Sequence, residues 1–181
     1  LRIGIADLKL EAGLHKTVPL VFTMQPVEMG GLLFHFDQPI TGDAEIWNTG
    51  DELLVRARVK GETLVECSRC LTPFTLPIQA RFEEEFVEGD PKADDDDDDL
   101  LTDDRTVTHF LGDAIDLSDA IRENVLLELP MKPLCSEDCK GLCPTCGANL
   151  NDGPCTCTEA IEIDPRLAAF KDLLRKPDSN P

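Results

Sequence analysis

The 181-residue chain has no tyrosine and a single tryptophan, Trp47, and its aromatic content is only 5%. Interleaved aromatics that could stack on successive bases are therefore missing. Basic residues are also scarce: 17 Lys and Arg face 36 Asp and Glu, for a net charge of −19. This is the reverse of a nucleic-acid binder's electrostatic footprint, because such a field repels a phosphate backbone and draws in basic partners. Long apolar runs are absent, so no membrane span is expected, and the N-terminus carries no signal-peptide pattern. The chain opens on Leu1 rather than Met, which leaves room for residues before it. The three histidines, His15, His35 and His109, stand apart without metal-ligand spacing. No phosphate-binding loop, dinucleotide fingerprint or nucleophile elbow occurs, and the sequence is read as that of a non-enzyme.

Cysteine, by contrast, is plentiful. Six of the eight fall between Cys135 and Cys157, in C-S-E-D-C-K-G-L-C-P-T-C-G-A-N-L-N-D-G-P-C-T-C; Cys67 and Cys70 form a C-S-R-C knuckle far upstream. Thiolates with two residues between them can grip one Zn²⁺ from a single turn but do not easily pair in a relaxed disulfide. Eight thiolates make two structural zinc sites with no position left open for a reacting water. In one division Cys143, Cys146, Cys155 and Cys157 close locally, leaving Cys67, Cys70, Cys135 and Cys139 for a long-range site. In the other, Cys67 and Cys70 join Cys143 and Cys146, leaving Cys135, Cys139, Cys155 and Cys157. The first is favoured, since a local site closes little loop entropy and needs no prior tertiary structure. Reduced zinc thiolates fit a cytoplasmic protein.

Along the chain, residues 1–88 read as antiparallel β. Short apolar segments at 2–7, 17–24, 32–36 and 40–47 are separated by turn residues, with Asn48-Thr49-Gly50-Asp51 a hairpin turn. From Leu53 to Val65 the apolar residues hold the odd positions, and from Phe74 to Phe86 they hold mostly the even ones. That is period two, with one buried face per strand, and it puts Cys67 and Cys70 at the tip of a long hairpin, presented away from the sheet. Pro77 marks the second strand as an edge or as bulged there. Residues 89–106, with six aspartates at 94–99, are expected to form a disordered acidic loop that folding can spare. Residues 107–181 should add a strand at 107–111, a helix from Asp116 to about Leu129, the cysteine-rich zinc module, and a final helix after Asp164-Pro165. The helix presents Leu117, Ile121, Val125 and Leu129 as one stripe. The fold class is α+β: a mainly antiparallel sheet, with enough strands to curl toward a barrel, followed by a helical zinc-stapled C-terminal part, all in one integrated domain.

Arg56, Arg58 and Lys60 project from one strand face, with Arg69 at the knuckle tip. They are the candidate RNA-contacting cations. The competing reading is a polar sheet face paired with Glu83 and Glu85 on the next strand.

The combination E-C-S-R-C-L, P-L-C-S-E-D-C-K-G-L-C-P-T-C-G-A-N-L and I-D-P-R-L-A-A-F-K resembles the YceD-like proteins of bacteria and plastids. The resemblance spans most of the chain. It implies a role in large ribosomal subunit biogenesis and accumulation of large-subunit ribosomal RNA, and it supplies no catalytic residue. The expected partner is then a basic ribosomal protein or the pre-ribosomal large subunit, with ribosomal RNA contacted locally. The reading of another class is a zinc-binding protein–protein adaptor outside ribosomes.

Overall fold

A computed structural model describes residues 1–89 and 107–157. The acidic run and the expected last helix lie outside the described residues. The chain divides into two compact units, Leu1–Cys139 and Lys140–Pro181.

The first unit is built on one five-stranded sheet, in the order β2 (His15–Phe22), β5 (Ile40–Asn48), β6 (Leu53–Glu66), β7 (Pro73–Glu88), β8 (Val107–Phe110). Neighbours are antiparallel except β7 and β8, which run parallel. Parallel neighbours need a connection of a dozen or more residues, and 89–106 stand between these two. The sheet is open: β2 and β8 are its two ends and do not pair, so the expected curl does not close into a barrel. Among the described residues two small pairs complete the β structure, β1 (Arg2–Gly4) with β9 (Ala114–Asp116) and β3 (Val27–Met29) with β4 (Leu32–Phe34).

The two long strands carry the alternation read from the sequence. On β6, Leu53, Val55, Ala57, Val59 and Val65 are buried while Arg56, Arg58, Lys60, Glu62 and Glu66 are exposed. On β7, Ile78, Ala80, Phe82 and Phe86 are buried. The inner face packs against Ile5, Leu8, Phe34, Phe36, Ile115 and the helix α1 (Ser118–Leu127), making one core. The stripe Leu117, Ile121, Val125, Leu129 is buried as expected, and burying each of these side chains contributes about 1.5–3 kcal/mol. Asp116 is not the cap residue itself: Leu117 occupies that position, and Asp116 accepts the Ser118 N–H at 2.9 Å from one residue earlier. β8 reaches only Glu85–Glu88 of β7, so among the described residues β7 is an edge at Pro77, where a missing N–H leaves no ladder bond unmade. At the Asn48–Asp51 turn, Gly50 has φ 113° and its N–H bonds the Asn48 side-chain oxygen at 2.8 Å.

Candidate metal centres and the exposed sheet face

The hairpin β6–β7 is closed by residues 67–72, and this turn builds half of a site. The Cys67 N–H bonds the Thr72 carbonyl at 3.0 Å, and the Leu71 N–H bonds the Cys67 carbonyl at 2.9 Å. The other half arrives from beyond the helix, where Pro130 and Pro133 send the chain back past the tip. The Ser68 N–H meets the Pro133 carbonyl at 2.8 Å. Arg69 donates from Nη1 to the carbonyls of Cys139 at 2.9 Å and Glu137 at 3.4 Å. Cys67, Cys70, Cys135 and Cys139 thereby converge, with all four sulfurs within 4.8 Å of one another.

The second unit repeats the turn. The Cys143 N–H bonds the Ala148 carbonyl at 2.8 Å, and the Gly147 N–H bonds the Cys143 carbonyl at 2.9 Å. Gly147 has φ 73° and Leu71, at the equivalent position, has φ 58°. Left-handed backbone is easy for glycine and costs a leucine about 1–2 kcal/mol. Cys143, Cys146, Cys155 and Cys157 form a second group with sulfurs within 4.8 Å. The structure therefore selects the local-plus-long-range division and sets aside the alternative.

These distances suit metal binding. The Cys67–Cys139, Cys70–Cys135 and Cys143–Cys155 sulfurs are 3.7, 3.6 and 3.4 Å apart. A disulfide needs about 2.05 Å, whereas four sulfurs at about 2.3 Å from one tetrahedral ion stand about 3.8 Å apart. Both quartets could hold a metal ion, and all-thiolate sets of this kind are compatible with zinc. Cys67 and Cys70 are buried at 0% and 5% relative exposure, with Cys139 at 3%, so these cysteines are shielded although the rest of the hairpin tip is exposed.

Electrostatics eases ionisation of part of each quartet: Cys67 and Cys70 are lowered in the first and Cys143 in the second. Burial pushes Cys67 up, but N–H donors from Cys135, Cys70 and Arg69 outweigh it and bring the thiol down to about 6. Cys143 is lowered to about 6, chiefly by the N–H groups of Cys146 and Thr145. The last thiols resist ionisation: Cys135 is raised to about 12 by its bond to Cys70 and by local desolvation among the other sulfurs, and Cys157 to about 12 by its bond to Cys146 and by the same effect. Collecting four negative sulfurs in so small a space calls for a cation to offset them.

The outer face of the sheet carries the candidate cations. Arg56 is held by Glu83 through its Nε and lies 5.4 Å from the centre of the Trp47 ring, which is stacked on His15. The polar-face pairing read beside the RNA reading is thus present at Arg56. Arg58 stands between Asp43 and Arg81, and Lys60 between Thr41 and Gln79. Arg69 lies apart from this stripe, turned onto the metal-site carbonyls. Sequence reasoning missed two features here. Arg81, opposite Arg58, follows from the hairpin register once six residues are allotted to the tip. Trp47, two strands from Glu83, follows only from the sheet order.

The fold and sites define a class: an open β-sheet protein whose long hairpin is capped by a cysteine quartet, followed by a second quartet. The chain belongs to the family described as "Large ribosomal RNA subunit accumulation protein YceD", whose profile matches residues 55–174. An uncharacterized protein of Mycobacterium tuberculosis is 34% identical over 163 residues, covering 89% of this chain and 73% of its own. The chloroplastic YCED homolog 1 of Zea mays is 33% identical over 142 residues, 66% of this chain and 48% of its own. The uncharacterized protein YlbN of Bacillus subtilis is 33% identical over 126 residues, 67% of this chain and 66% of its own. No solved structure matches the chain. Among the described residues no helix is long and apolar enough to cross a membrane.

Proposed function

We propose that this chain is a non-enzymatic factor supporting large ribosomal subunit biogenesis and the accumulation of its RNA, acting in the cytoplasm. Membership of the YceD family, by a profile covering residues 55–174, carries the reading. One structural Zn²⁺ ion per cysteine quartet staples each unit internally, and each ion with its four thiolates adds a net two negative charges to a chain already at −19. The factor works by binding: its field attracts a basic ribosomal protein and keeps it soluble, and RNA is touched only locally, by Arg58 and Lys60. Arg56 is neutralised by Glu83 and Arg69 is engaged at the metal site, which supports confining the RNA contact in this way.

The test is sedimentation of the tagged full chain through a ribosome gradient, with crosslinked partners identified. Co-migration with large-subunit precursors is expected. Absence from every ribosomal fraction would instead support an adaptor working elsewhere.

A further inference from the structure

The outer face of the sheet changes character toward the hairpin tip. Beyond the end of β5, the backbone of His35 takes its place beside β6, exchanging bonds with Leu64 at 2.8 and 2.9 Å. This brings the β3–β4 hairpin alongside the distal half of β6. The result is a hollow of about 340 Å³ lined by Leu32, Leu33, His35, Leu64, Glu66 and Pro73, among others. Leu33, on β4, and Leu64, on β6, are 47% and 39% exposed, side by side at this hollow. Acidic residues border them. Glu62 and Glu66 flank Leu64 on the exposed side of β6, and Glu28 is the register partner of Leu33. None of these three carboxylates has an ion pair among the described residues. No Lys or Arg occurs on the strands here: the register partners from Glu62 to Glu66 are Pro77, Leu76, Thr75, Phe74 and Pro73.

At the same end of the hairpin sits Leu71, 55% exposed and left-handed. The second knuckle uses Gly147 for this backbone. A leucine that is strained and largely unburied gains little for folding, which points to a use outside the fold.

We infer that this acid-rimmed apolar surface at the tip of the β6–β7 hairpin docks a basic amphipathic segment of a partner protein. Apolar side chains of the segment enter the hollow between Leu33 and Leu64, and its Lys or Arg residues meet Glu28, Glu62 and Glu66. Charge complementarity selects this occupant. A phosphate backbone would face three unpaired carboxylates, and a second copy of this chain would bring like charge to like. The inference rests on the ribosome-biogenesis reading for where the partner is found, but the surface is tested separately.

A photo-crosslinking amino acid in place of Leu64, in the full chain, is activated in large-subunit precursor fractions and the adducts are mapped by mass spectrometry. Adducts on Lys- or Arg-rich protein segments are expected. Adducts on RNA or on a second copy of the chain, or no adduct while the chain still co-sediments, would overturn the surface and leave the ribosomal reading standing. A chain that co-sediments with no ribosomal particle would remove that reading instead. The surface would then rest on the second assay. That assay measures binding of a synthetic Leu/Lys amphipathic peptide and its Leu/Glu counterpart. The Leu/Lys peptide should bind at least about tenfold tighter. Leu64→Thr and Glu62→Gln/Glu66→Gln should each weaken it by about tenfold. Leu71→Gly separates docking from folding: it should weaken the peptide while leaving the melting temperature unchanged or higher. Equal binding of the two peptides, or Leu71→Gly with unchanged binding, would refute the proposal.

Discussion

The two cysteine quartets differ in what they tie together, and that difference predicts a measurable asymmetry. The Cys70–Cys135 link spans 65 residues, and the Cys143–Cys155 link spans 12. Treated as cross-links on the unfolded chain, closures of these lengths are worth about 4 and about 3 kcal/mol at 25 °C. The longer closure lies wholly within the first unit, which also holds Trp47, the one tryptophan of the chain. Trp47 fluorescence therefore reports unfolding of that unit. Cys135 is exposed, so Cys135→Ser removes a ligand without placing a new polar group in the core. It should lower the Trp47-monitored stability by up to about 4 kcal/mol, on the order of 12 °C in Tm. Chelation of the wild type should do the same. Cys157→Ser should leave the Trp47 transition in place, since all four ligands of that quartet lie in the second unit. The reasoning fails if Cys135→Ser loses one equivalent of metal with no change in the Trp47 transition, or if Cys157→Ser moves it equally.

Elemental analysis under reducing conditions should find about two zinc ions per chain. Arg69→Ala should release one of them to a chelator about tenfold faster, with Arg69→Lys recovering part of the loss, because the fork that bonds the Cys139 and Glu137 carbonyls is gone. A methyl group added at Gly42 would lie 1.9 Å from the Arg58 carbonyl oxygen and 2.8 Å from the Val59 Cα, both backbone. Gly42→Ala should accordingly cost about 3 kcal/mol in urea unfolding, a loss within 0.5 kcal/mol being contrary to it. Glu84 has its pKa raised by burial and by Glu123. A raised carboxyl pKa means that the folded state disfavours the charge, so the cost is present above the folded pKa and fades as pH falls through it. Glu84→Gln should be more stable than wild type at pH 7, and the two should converge toward pH 4; divergence on acidification would contradict this.

Several parts of the fold were legible because they depend on neighbours in the chain. The alternation along 53–65 and 74–86 follows from a strand's period of two, and 117, 121, 125 and 129 follow from the helix period. The cap was misplaced by one residue because Asp116 bonds the Ser118 N–H equally well from just outside the helix. The barrel expectation failed for another reason. Strand count permits closure, but closure needs the end strands to meet, and β2 and β8 do not.

Cysteine spacing by itself determined that two four-sulfur groups were available, because a C-x-x-C turn is a local structure. The same spacing could rank the two divisions but not exclude either, since the choice depends on which distant segment reaches the hairpin tip. Tertiary structure decided that, by carrying 133–139 back to Cys67 through the Ser68 and Arg69 bonds. It also decided what each charge does. Arg56, Arg58 and Lys60 are alike along the strand. They differ only in what the neighbouring strands set beside them: Glu83 and Trp47 for the first, Asp43 and Arg81 for the second, Thr41 and Gln79 for the third. Sequence periodicity places a side chain on a face, whereas its partner across the sheet depends on register and strand order, which are properties of the assembled chain.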